Sequence, residues 1–145
     1  MPAPFRTTRL VEFHDTDMAG IMHFASFFVY MESAEHELLR SLGLSVHSAV
    51  DGQSIGFPRV HASCEYLSPA HCEEILDVEI LVGRIGSTSV TYDFRFSHDG
   101  RDVARGRMTS VCCRVAPGEA PASHPLPAEV SQKLRTYLQP TEPHA

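Results

Sequence analysis

Lysine is almost missing from this chain: Lys133 stands alone against eleven arginines. The basic excess that nonspecific nucleic-acid or anionic-membrane binding needs is missing too, because the net charge is -6. A phosphate-bearing ligand would therefore need a local cluster of arginine, the better bidentate phosphate ligand. No apolar run approaches the length of a membrane span, and the opening Met1-Pro2-Ala3-Pro4-Phe5-Arg6 lacks a long apolar signal region. No nucleic-acid or membrane partner is expected, and cytoplasmic residence is. The cysteines are few (Cys64, Cys72, Cys112, Cys113) and show no metal spacing. Cys112 and Cys113 are adjacent on a predicted strand, so their thiols are expected on opposite faces, reduced and packed as small hydrophobes. The histidines form no H-E-x-x-H pattern, so no metal is expected. There is also no G-x-S-x-G elbow, no P-loop and no dinucleotide fingerprint.

What is present suits one domain. The 145 residues, 43% of them apolar and 21% charged, are enough for one core and too few for two. A core over about 6–116 is expected, followed by a proline-containing loop, short helix and tail over 117–145. Thr7 to Phe13 reads as a first strand. Ala25 to Leu42 reads as a helix, with Phe27, Met31, Ala34, Leu38 and Leu42 on one stripe and Gly43 as its cap. Its first turns are apolar almost all round, which predicts a sheet curled about it. Strands follow at 59–67, 75–84, 87–97 and 102–115, the last two joined by an Asp99-Gly100 turn. A short helix is predicted over 128–138. The class is α+β: about five antiparallel strands around one long helix, with a small C-terminal helix. Exposed sheet edges predict pairing between copies.

Chemistry concentrates in Val11-Glu12-Phe13-His14-Asp15-Thr16-Asp17-Met18-Ala19-Gly20-Ile21-Met22-His23-Phe24. Here a strand ends, two carboxylates enter the turn, and a glycine precedes an apolar helix. A carboxylate just ahead of a helix N-terminus, with its unpaired N–H groups, supplies the two halves of one kind of acyl-transfer site. A thioester carbonyl is activated enough to be cleaved by that pair without a Ser/His/Asp triad. Alone, Asp17 could also be a turn or N-cap residue. Gly20 suits a positive φ or a close backbone approach beside an acyl group. His23 could touch substrate or be a satisfied, partly buried histidine.

The order strand, D-x-D-x-x-G, aromatic and helix resembles hotdog-fold thioesterases of the 4-hydroxybenzoyl-CoA thioesterase family. Glu32-Ser33-Ala34, Arg84-Ile85-Gly86-Ser87-Thr88-Ser89 and Ala104-Arg105-Gly106 fit its later elements, so the likeness spans about Thr8 to Val115. The resemblance implies an acyl-CoA thioesterase with a hotdog fold and Asp17 as general base or nucleophile. It implies that the backbone N–H of Phe24 polarises the thioester oxygen, although Phe replaces the aromatic hydroxyl common there. Glu32 is a second candidate, because a helical carboxylate is catalytic in another branch; it could instead orient water or pair across a dimer. Arg84, Ser87 and Thr88 are candidate coenzyme A contacts, or an ordinary hairpin corner, and Arg59 is a weaker one. The substrate is a short, medium-chain or aromatic acyl-CoA, with no cofactor beyond the coenzyme A it carries. A homodimer assembling into a homotetramer is expected. The alternatives are an acyl-carrier-protein thioesterase and a non-catalytic acyl-CoA-binding module.

Overall fold

Alternation of apolar and polar side chains builds the main sheet. The computed structural model describes residues 2–140, with strands β1 (Phe5–Leu10), β2 (Ser48–Val50), β3 (Gln53–Gly56), β4 (Arg59–Tyr66) and β5 (Ile75–Ile85). They are followed by β6 (Ser89–His98), β7 (Arg101–Val111), β8 (Cys113–Arg114) and β9 (Ala122–Ser123), with helices α1 (Ser26–Ser41) and α2 (Ala128–Leu134). Leu76, Val78, Ile80 and Val82 of β5 are buried on one face, as are Val90, Tyr92, Phe94 and Phe96 of β6. The five-stranded sheet runs β1-β5-β6-β7-β4, all neighbours antiparallel. β1 and β4 are therefore its edges.

Helix α1 lays the expected stripe on that sheet. Phe27, Met31, Ala34 and Leu38 are buried, and the Phe27 ring meets Phe96 edge-on at 5.4 Å. The approach is close at Gly106 of β7, where a Cβ would overlap the Met31 sulfur. Gly43, at φ +73°, ends the helix as its sequence position predicts. The Asp99-Gly100 pair likewise turns β6 into β7, with φ of 46° and 78°.

Four readings need correction. The first strand stops at Leu10 rather than Phe13, because Phe13–Asp15 coil into a 3-10 turn closed by reciprocal bonds between Glu12 and Asp15. The strand predicted over 102–115 breaks after Val111. There Cys112 N–H donates to Thr88 O at 2.6 Å, and the chain passes into a second sheet, β2-β3-β8-β9. Both Cys112 and Cys113 are buried at that crossing. The β2-β3 hairpin, turned by Asp51-Gly52 at φ 51° and 76°, lies where only a connection was expected. The C-terminal helix is shorter than predicted: α2 gives way to a 3-10 turn over Arg135–Tyr137.

Candidate active site

The segment between β1 and α1 is held from inside. Asp15 is buried, and its Oδ2 lies 2.5 Å from Tyr30 Oη and accepts the Glu12 N–H at 3.0 Å. Burial and the Asp15 carboxylate both push the Tyr30 phenol up, so the hydroxyl keeps its proton and donates. The Asp15 carbonyl accepts the His23 N–H at 2.7 Å and the Ser26 hydroxyl at 3.1 Å. One residue thus fastens the turn to the first two turns of α1.

Asp17 stands on this frame, half-buried. Its Oδ1 accepts the Ala19 N–H at 2.8 Å, its own N–H donates to Ile21 O at 2.9 Å, and its carbonyl accepts the Gly20 N–H at 3.0 Å. Oδ2 has no hydrogen-bond partner among the described residues. Gly20 sits at φ +79° with open space where a Cβ would be, so backbone conformation and not crowding favours glycine. Of three successive amides beyond it, two are spent. His23 N–H goes to Asp15 O and Ala25 N–H to the His23 ring Nδ1 at 3.0 Å. The Phe24 N–H between them has no acceptor among the described residues.

Asp17 and Phe24 line one cleft of about 410 Å³, with Met22, Phe27, Tyr66 and Pro69 among its walls. That volume and apolar lining suit a small organic group. A larger concavity of about 670 Å³ lies on the outer face of the sheet, among Glu79, Asp93, Arg95, Arg105 and Arg107. There Arg107 pairs with Asp93 at 2.7 Å, and Arg95 pairs with Asp102 at the same distance. It holds arginine, but neither Asp17 nor Phe24, which both line the smaller cleft.

The remaining predicted residues lie elsewhere. Arg59 donates from both terminal nitrogens to the buried Glu35, with NH2 to Oε1 at 2.9 Å, and also contacts Ser110 Oγ. Glu32 is exposed, 4.0 Å from the same guanidinium. Arg84, Ser87 and Thr88 cluster at the β5-β6 turn, where the Ser87 carbonyl accepts the Leu126 N–H at 2.9 Å. Leu10, which leads into the Asp17 segment, pairs with Ile75 at the other end of β5. Ten residue steps of extended chain put that turn roughly 30 Å from the cleft of its own chain. Glu35, Tyr30 and Tyr66 were missed. Glu35 could have been suspected, because it sits four residues from Met31 and three from Leu38, which makes it a carboxylate on the apolar stripe. Glu12, His14 and Asp15 bring possible ligand atoms within 4.8 Å of one another, but Asp15 Oδ2 is engaged by Tyr30.

No helix among the described residues is long and apolar enough to cross a membrane. A 1,4-dihydroxy-2-naphthoyl-CoA hydrolase of Synechococcus elongatus is 29% identical over 140 residues, 96% of this chain and 98% of that protein. The crystal structure of a 1,4-dihydroxy-2-naphthoyl-CoA thioesterase from Synechocystis superposes with a TM-score of 0.81 at 26% identity, over 91% of this chain and 96% of that one. A gentisyl-coenzyme A thioesterase superposes with a TM-score of 0.78 at 26% identity, over 90% and 99%. The Thioesterase-like superfamily matches residues 11–134, and the chain belongs to it.

Proposed function

We propose that this chain hydrolyses the thioester of an aromatic acyl-CoA, giving the free acid and coenzyme A. One observation carries the reading: Asp17, with one carboxylate oxygen free among the described residues, and Phe24, whose amide has no acceptor among them, line the same apolar cleft. The Asp17 carboxylate either takes a proton from the attacking water or attacks the carbonyl carbon itself, forming a mixed anhydride that water then cleaves to the free acid and the carboxylate. The Phe24 N–H receives the negative charge that grows on the thioester oxygen, and the thiolate of coenzyme A leaves with a proton. The rings of Phe24, Phe27 and Tyr66 favour an aromatic acyl group, in keeping with the naphthoyl and gentisyl substrates named for the relatives. No cofactor beyond the substrate's own coenzyme A enters the chemistry, and no metal is needed.

The described residues read as one hotdog domain, its sheet curved about α1 as the central helix. The β4 edge, where Val60, Tyr66 and Leu67 are exposed, supports pairing with a second copy. Antiparallel pairing of two such edges would set the Arg59 end of one β4 beside the Tyr66 end of the other. The Arg84-Ser87-Thr88 turn and Glu32 belong to that Arg59 end, so their contact with coenzyme A would serve the neighbour's cleft. Gly20 shapes the turn beneath the acyl group. Two dimers joined through the charged outer sheet faces would give the tetramer.

The test is thiol release from aromatic, short, medium and long acyl-CoAs by the purified protein and its Asp17→Asn variant. Asn keeps the acceptor for Ala19 N–H but not the basicity, so a loss of at least ~100-fold in turnover is expected with the fold intact. An unchanged rate removes Asp17 from the chemistry. Intact acyl-CoA after long incubation with the native protein overturns the hydrolase reading.

A further inference from the structure

The open amide of Phe24 is held by the peptide that follows it. The Phe24–Ala25 peptide is clamped at both ends: Tyr66 Oη donates to its carbonyl at 2.9 Å, and His23 Nδ1 accepts its N–H at 3.0 Å. The His23 ring also stacks on the Phe24 ring, with centroids 4.5 Å apart and planes 25° apart. Tyr66 ends the edge strand β4, so its bond ties the sheet to the loop ahead of α1. Helix α1 has Ala25 at its N-cap position and no side-chain cap there. The imidazole takes over that duty two residues earlier, by accepting a donor that the helix start would leave open.

We propose that Tyr66 and His23 are positioning residues that fix the dihedral angles of Phe24 and so aim its N–H at the thioester oxygen. The assignment rests on the thioesterase reading above. It gives His23 a role other than substrate contact: Nδ1 must be the unprotonated nitrogen, because it accepts. Burial and the neighbouring Cys64 raise the Tyr66 phenol, which keeps the donor in place. A donor displaced by a fraction of an ångström loses much of its value to a developing oxyanion, whereas ground-state binding in the apolar cleft changes little.

The experiment is steady-state hydrolysis of an aromatic acyl-CoA by the native protein and Tyr66→Phe, His23→Phe, His23→Asn and Asp17→Asn. Phe at 66 keeps the ring and loses the bond; Phe at 23 keeps the stack and loses the acceptor. Asn at 23 restores the acceptor through its Oδ1. Expected are a roughly tenfold lower kcat for Tyr66→Phe and His23→Phe, KM within about twofold, and recovery in His23→Asn. Amide exchange at Ala25 should quicken in His23→Phe and return to native rates in His23→Asn. A change confined to KM, or hydrolysis that needs Asp17 but ignores both phenylalanine variants, overturns the positioning role alone. No hydrolysis by the native protein overturns the thioesterase reading and the role with it.

Discussion

The buried pair Arg59–Glu35 offers the sharpest stability test, because its two halves are buried to different depths. The Glu35 side chain is 2% exposed and that of Arg59 22%. Removing Glu35 (Glu35→Leu) strands a guanidinium that still reaches water, Ser110 and, at 4.0 Å, Glu32. Its long stem lets the charged head move outward, so the cost should stay near 2 kcal/mol. Removing Arg59 (Arg59→Met) strands a carboxylate with almost no access to water, with the His36 ring nitrogen 3.8 Å away. That cost belongs at about 3–5 kcal/mol. The double variant replaces both charges with apolar groups of similar bulk and should lose less than Arg59→Met alone. Urea unfolding at one fixed protein concentration reads all four stabilities. Equal costs for the two single variants, or strict additivity in the double, would refute the argument from depth.

Two further outcomes follow from packing and ionisation. Gly106→Ala should destabilise by about 1–3 kcal/mol, because the added methyl overlaps the end of the fully buried Met31 side chain and forces it to move, and the loss should show in Tm. Met31→Ala in the same chain should relieve part of that clash while costing its own cavity. Tyr92 is buried, and desolvation, then the Glu35 carboxylate, push its phenol well above the ordinary value. The unfolded chain releases that proton near pH 10 and the folded one does not. The contribution is therefore complete below pH 10 and is lost as pH rises beyond it, by up to about 1.4 kcal/mol per pH unit. Tyr92→Phe should flatten the fall in stability between pH 10 and 11.5 in alkaline unfolding curves; an unchanged slope refutes the assignment.

The sequence was most legible where one physical rule acts alone. Period-two alternation placed β5 and β6, and helical spacing placed the buried stripe of α1, because each reports a single burying face. Asp99-Gly100 and Gly43 were legible for a similar reason: a positive φ leaves few residue choices. Legibility failed where two rules compete. Cys112 and Cys113 sit in an apolar run that alternation reads as continuing strand, yet the chain changes sheets there through the Cys112–Thr88 bond, which joins residues 24 apart. The β2-β3 hairpin has too few apolar residues to announce itself, and it is recruited by pairing of Ile55 and Gly56 with β8.

The candidate site divides along the same line. Asp17, Gly20 and Phe24 lie in one short run, so their order alone could suggest a carboxylate beside a helix start. The partners that decide whether this carboxylate and amide can act together come from far along the chain. Tyr66, 42 residues beyond Phe24, bonds its carbonyl; Tyr30, 15 residues beyond Asp15, anchors the turn. Each belongs to a regular element, β4 or α1, whose position depends on the whole sheet having formed. A local motif can therefore supply the groups proposed to react, while their mutual aim is a property of the folded core. Loss of activity should follow disruption of β4 or α1 packing even when Asp17 and Phe24 are untouched.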